Sequence, residues 1–360
     1  GGQQEGIWRH RCLKMVREIV FFNIPHLSVG RGGEVWESQV IEYLNSSGGF
    51  RARLITTDCC YQHEVSPSFE YTVIPLKRRF GLHLYDYEAI RDSLEQADLV
   101  YYFNSFIGSQ IPILSNVKNI KNIVFGYHAK NDWNLVQRIY YGLLAYKIRN
   151  LGYHHVLTKY HYEILIRKKF RNVFVVPDFV DLNEFNIGEK DPKLIVAPGA
   201  VSKDKGILTL VKIAELRKDL RIYITGNKPE VKLPNNIIYL GKLNRNEYRS
   251  LLSKSAVCIL PTHGETFSLT FLECMASGNL IVARDLPVLR EIAGGIESVF
   301  FAKDDSEFAS KLSFLVRNIL MKPDEFSRFS TMSRERASVF DKEKVLFELR
   351  NKFIEIIDNS

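Results

Sequence analysis

The sequence predicts an α/β protein of two domains, each a mostly parallel sheet covered by helices. Three observations carry that prediction. Short apolar runs of strand length alternate with segments of helical periodicity from end to end, the pattern of strands buried on both faces. With 360 residues, the chain has room for two separate cores. A polar stretch, Asn186-Ile-Gly-Glu-Lys-Asp-Pro192, interrupts the alternation midway and reads as a linker.

Composition narrows the class. A hydrophobic fraction of 46% against 25% charged residues excludes a disordered chain. No apolar run approaches the ~18 residues a membrane span needs. The opening Gly1-Gly-Gln-Gln-Glu-Gly reads as a tail outside the fold, with no signal-like apolar region behind it. Five cysteines, Cys12, Cys59, Cys60, Cys258 and Cys274, show no C-x-x-C spacing. They imply a reduced, cytoplasmic protein without a structural zinc, and Cys258 and Cys274 fit as small core residues.

In chain order, Glu18-Ile-Val-Phe-Phe-Asn23 is the first strand. Gly32 and Gly33 stand before a helical pattern with Trp36, Val40, Tyr43 and Leu44 on one face. Glycines there allow backbone amides to approach a ligand at a helix start suited to a diphosphate, or mark a plain turn. Further strands are expected at 53–57, 71–75, 98–103, 122–125, 155–157 and 172–176. Ligands of such sheets bind beyond the C-terminal strand ends. His128, in Phe125-Gly-Tyr-His-Ala-Lys130, lies at one of them.

Charge concentrates between Lys118 and Arg171, where eleven Lys and Arg face two acids, a net of +9 against +8 for the whole chain. Trp133, Tyr140, Tyr141, Tyr146 and Tyr153 are interleaved there. A basic, aromatic-rich helix can lie on an anionic membrane surface, grip an acidic substrate, or simply turn its Lys and Arg to water.

The second half restarts with strand 193–197 and a glycine-led loop, Pro198-Gly-Ala-Val-Ser-Lys-Asp-Lys-Gly206, whose lysines suit phosphate neutralisation. It is not a Walker A loop, because Gly-Lys-Ser/Thr is absent. Strands at 220–226 and 236–241 follow, then an amphipathic helix from Lys242. An apolar run, Ala256 to Pro261, leads into a loop holding Glu265 and a helix holding Glu273. Ser268 sits where an N-cap belongs, and Gly278 closes the helix. Thr270-x-x-Glu273 can also be read as a capping box. Strands at 280–285 and 298–301 and a helix at 342–357 complete the chain.

Glu265, seven intervening residues and Glu273, followed by Cys-Met-Ala-Ser-Gly278, resemble the signature of family-4 retaining glycosyltransferases of the GT-B fold. The resemblance covers most of the second domain and scattered landmarks of the first. It implies two Rossmann-like domains facing each other across a cleft, at 1–186 and 187–340, with the helix in 341–360 packing back on the first. The implied reaction moves a sugar from a UDP- or GDP-sugar to an acceptor, with retention, no tightly bound cofactor and no metal. No Asp-x-Asp triplet is present to hold one.

Under that resemblance Glu265 and His128 orient the donor sugar and Glu273 binds ribose. Gly32 and Gly33 line the donor site, and backbone amides from Thr266, Phe267, Ser268 and Leu269 hold sugar and phosphate. Gly241 and Lys242 border the nucleobase. Gly199, Lys205 and Gly206 match the family's Gly-Arg-x-x-x-x-Lys-Gly, but Ala200 stands where Arg is expected, leaving Lys203 to supply the charge. Val176-Pro-Asp-Phe-Val-Asp-Leu-Asn-Glu-Phe185 resembles Pro-Asn-Gly-Val-Asp-x-x-x-Phe, with Asp178 and Phe179 replacing Asn and Gly. The acceptor is open, a lipid-linked or otherwise anionic one at a membrane surface being suggested by the basic segment. Two other readings stay open: a GT-B-like nucleotide-sugar epimerase, and a non-enzymatic basic protein binding nucleic acid, for which no motif is present.

Overall fold

The computed structural model describes residues 16–103, 106–128 and 135–360. The opening tail and Cys12 lie outside the described residues, as do Lys130, Asp132 and Trp133 of the basic segment. The chain divides into two compact units, residues 1–155, 166–174 and 349–360, and residues 156–165 and 175–348.

The first unit is built on a seven-stranded sheet. Its strands are β1 (Arg17–Pro25), β2 (Phe50–Cys59), β3 (Tyr71–Ile74), β6 (Leu99–Phe103), β7 (Ile123–Gly126), β8 (Tyr153–Val156) and β9 (Val173–Val175), in the order β3-β2-β1-β6-β7-β8-β9. β1 pairs in parallel with both β2 and β6. A separate antiparallel hairpin, β4 (Lys77–Arg79) and β5 (Leu82–Leu84), projects after β3. Helices α1 (Gly32–Ser46), α2 (Arg91–Glu95), α3 (Gln110–Asn116) and α4 (Leu135–Ile148) connect the strands. The end of the chain joins this unit. Phe353 packs on Phe21 and Tyr101, and Asp358 accepts from Arg17 at 2.9 Å.

The second unit has six strands, β10 (Asp191–Pro198), β11 (Ile222–Thr225), β12 (Ile237–Tyr239), β13 (Ser255–Leu260), β14 (Leu280–Arg284) and β15 (Val299–Ala302). Their order is β12-β11-β10-β13-β14-β15, parallel at every pair. Both sheets thus step outward from their first strand and then reverse direction, the doubly wound order whose reversal opens a crevice at the strand ends. β13 and β14 are buried along their whole length, which is why they read as unbroken apolar runs. Around them lie α5 (Lys159–Arg167), α6 (Ile207–Leu216), α7 (Arg245–Lys254), α8 (Leu269–Ala276), α9 (Pro287–Ala293), α10 (Asp305–Asn318), α11 (Pro323–Ala337) and α12 (Lys342–Asp358). α5 and α12 begin in this unit and end in the first.

The division falls between Phe174 and Val175, earlier than the expected boundary after residue 186. Packing explains the difference. Val180 and Phe185 belong to the second unit's core, and Val180 exchanges backbone hydrogen bonds with Phe340 and Lys342 at 3.0 Å each. Residues 156–165 go the same way, with the Glu291 carboxylate accepting from the Lys159 and Tyr160 amides at the start of α5.

Lys190 fastens the entry of this unit. Its ammonium donates to Leu252 O at 3.1 Å, Ser277 O at 2.7 Å and Asn279 Oδ1 at 2.5 Å. Burial pulls its pKa down to about 8. Lys190→Met keeps the stem but strands Ser277 O and Asn279 Oδ1 and leaves Leu252 O to the Ser255 hydroxyl, and is expected to lower the unfolding free energy by about 3 kcal/mol. Urea denaturation at pH 7 measures this, and a loss below about 1 kcal/mol would refute the anchoring role.

Candidate functional site

In the second unit, the loops after β10 and β13 flank the point where strand order reverses. Gly206, with φ +87°, opens α6. A β-carbon there would collide with the Pro261 carbonyl, so only glycine lets the two loops touch. His263 N–H donates to Asp204 O at 2.9 Å and completes the tie. Lys205 and Glu265 ride on these joined loops and meet, Nζ to Oε1, at 2.7 Å. Glu265 is the more buried partner and Lys205 is about half exposed.

α8 starts at Ser268, whose hydroxyl accepts the Phe271 N–H at 3.3 Å. Its φ of +110° is unusual for a residue with a side chain, a local strain of the kind concentrated at functional loops. The first turn of any helix leaves N–H groups without intrahelical acceptors, and Leu269 begins that turn. Thr266 is half-buried, whereas the Phe267 ring is buried against Phe340. Phe267 can therefore serve a ligand only through its backbone.

Glu273 does not form the capping box that Thr270-x-x-Glu273 suggests, because Ser268 and not Thr270 is the N-cap and Glu273 lies in the second turn. Its carboxylate accepts from Arg245 Nη1 at 2.8 Å and from the Tyr248 hydroxyl at 3.0 Å. Burial raises its pKa, opposed by Arg245 and Tyr248. Arg245 also donates to Glu184 at 3.0 Å and lies over the Phe185 ring. The sequence reading missed Arg245 and Tyr248. Asn244 and Glu247, which form a true capping box, place both residues in the first turns of α7.

Three glycine turns end β10, β11 and β12. Gly199 N–H donates to Thr225 O at 3.1 Å and Gly226 N–H to Gly241 O at 2.9 Å, so Gly199 and Gly241 are joined through residues 225 and 226. Lys203 and Lys242 are exposed. Ala200, where the resemblance expects Arg, is buried in the core. Lys203 and Lys205 are thus the nearest cations in sequence on that loop.

In the first unit, Gly32 and Gly33 are the first residues of α1 itself, and Gly30 makes the preceding turn with φ +61°. The Glu34 carboxylate accepts from the Arg31 N–H at 2.9 Å, so an acid already occupies this helix start. Trp36, on the same helix, packs against the His128 ring with centroids 4.3 Å apart. The Tyr101 hydroxyl lies 2.6 Å from both His128 Nε2 and His155 Nδ1. Burial, then the neighbouring His155, holds His128 well below an ordinary imidazole pKa, so it is neutral at pH 7. Among the described residues no group of three His, Cys, Asp or Glu could hold a metal ion. Nor, among the described residues, is any helix long and apolar enough to cross a membrane.

Residues 192–318 match the family described as Glycosyl transferases group 1. The O-antigen chain mannosyltransferase RfbU of Salmonella typhimurium is 23% identical over 237 residues, 61% of this chain and 65% of that relative. The match therefore spans just under two thirds of the curated relative's length. Among solved structures, the sucrose-phosphate synthase of Thermosynechococcus elongatus superposes with a TM-score of 0.74 at 15% identity, over 96% of this chain and 100% of that one. Anabaena HepE, in complex with UDP and glucose, gives 0.73 at 12% identity, over 94% and 100%. At such identities the likeness speaks for the fold alone.

Proposed function

We propose that this chain, which has the GT-B fold of two Rossmann-like domains and a glycosyl transferases group 1 segment at residues 192–318, is a retaining glycosyltransferase. Its donor is a nucleoside diphosphate sugar, UDP- or GDP-linked, and no metal takes part. The observation that carries this reading is the Lys205–Glu265 pair, held at 2.7 Å on two interlocked loops beside the start of α8.

As the bond from the anomeric carbon to the diphosphate oxygen breaks, negative charge grows on the leaving group. An ammonium has three donors, so Lys205 can keep Glu265 and still address phosphate oxygens. Lys203 and the first amides of α8, around Ser268 and Leu269, add positive potential there. Glu265 accepts from donor-sugar hydroxyls, and Glu273, fixed by Arg245 and Tyr248, accepts from the ribose. Gly199, Gly241 and Lys242 flank the base. In the first unit, Gly32, Gly33 and the neutral His128 are assigned to substrate contacts. Retention by front-face departure and attack needs positioning and no covalent nucleophile.

The acceptor in this reading is lipid-linked or otherwise anionic and is met at a membrane surface, which the +9 of residues 118–171 supports. A thermal-shift screen of nucleoside diphosphates and nucleotide sugars tests the donor side, since a ligand at 100 times its Kd stabilises by about 2.7 kcal/mol. UDP or GDP and one of their sugars should raise the melting temperature, and free nucleosides should not. No shift with any nucleoside diphosphate would sink the proposal.

A further inference from the structure

We propose that the β4–β5 hairpin and the outer face of α4 together form a docking surface for an anionic lipid bilayer. At the hairpin tip Phe80 is fully exposed with φ +50°, a conformation that bulky residues avoid. Lys77, Arg78 and Arg79, all exposed, lead into it. α4 turns Tyr141, Leu144 and Ile148 inward and leaves Ile139, Leu143 and Tyr146 at 58%, 67% and 68% exposure. Those three positions fall at i, i+4 and i+7, one stripe of the helix. Arg138 and Lys147 flank the stripe, and Arg149 lies over the Tyr146 ring. No acid occurs between residues 135 and 150.

The two elements meet at Gly108. A β-carbon on Gly108 would lie 2.9 Å from Leu82 Cβ of the hairpin. The Gly108 N–H donates to the Tyr140 hydroxyl of α4 at 3.0 Å. Exposed apolar groups flanked by cations, with no acid in residues 77–84 or 135–150, match the headgroup layer, where aromatic and aliphatic tips enter and basic residues are drawn to anionic headgroups.

This surface deepens the membrane part of the functional reading but is independent of the donor chemistry. Vesicle co-sedimentation without nucleotide tests it, using phosphatidylcholine alone and phosphatidylcholine mixed with phosphatidylglycerol. The full chain should pellet with the mixed vesicles and be released by salt. Phe80→Asn, whose new side chain tolerates the left-handed conformation, should weaken partitioning roughly tenfold, as should Ile139→Ser with Leu143→Ser. Unchanged melting temperatures and donor-induced shifts would show that the variants fold and keep the donor site. No preference for anionic vesicles, or variants that bind as the wild type does, would overturn the proposal. So would a stable dimer that these substitutions split, since the stripe would then face a second copy.

Discussion

Replacing Glu265 with alanine is expected to lower sugar transfer about 10²- to 10³-fold, the loss seen when one preorganised polar group is removed from a reacting centre. Two deficits combine. In the proposed reading the donor sugar loses an acceptor that the joined loops hold in place, and Lys205 loses the partner that fixes its ammonium at 2.7 Å. Glu265→Gln keeps the shape and one carbonyl acceptor, and should fall between wild type and alanine. Lys205→Ala should raise KM for the donor as well as lower kcat, since it removes charge from the diphosphate. Stability should hardly move, because an ion pair with a half-exposed lysine contributes only about 0–1 kcal/mol. Transfer and donor hydrolysis assayed over a panel of nucleotide sugars read the effect. Turnover near wild type for Glu265→Ala would remove it from the catalytic group.

Asp178→Asn is expected to stabilise the protein by about 4 kcal/mol above pH 7 and by almost nothing near pH 4. Asp178 is buried, its Oδ1 has no hydrogen-bond partner, and burial lifts its pKa to about 7. A carboxyl whose folded pKa is raised contributes most stability below its unfolded value near pH 4. That contribution is lost as pH rises through about 7. The amide cannot ionise and escapes the loss. Chemical denaturation of both forms from pH 4 to 8 gives the difference at each pH. A flat difference across that range would exclude Asp178 as the titrating group. Asn is also the residue that the resembled motif carries here, so this chain departs from the pattern in the less stable direction.

How far the sequence could be read depends on the range of the forces involved. Strands such as Ser255–Leu260 and Leu280–Arg284 declared themselves because burial on both faces demands apolar residues throughout. The start of α8 was equally legible, since Ser268 caps its own neighbour Phe271. The β4–β5 hairpin left no such trace, because Lys77-Arg-Arg-Phe-Gly81 buries little and carries no apolar alternation. The hold on Glu273 was invisible for another reason: Arg245 lies 28 residues away, and only the packing of α7 beside α8 brings the two together. The two acids of the motif could be picked out, but not that each already has a cationic partner.

Gly206 bears on how such a chain can diverge. Because any side chain at that position strikes the Pro261 carbonyl, the loop bearing the ammonium and the loop bearing the carboxylate can drift only as a pair. Mutational exploration of new ligands is thereby channelled away from the backbones of the joined loops. It has freer ground at Lys203 and Lys242, whose side chains stand in solvent and can be exchanged without moving either loop.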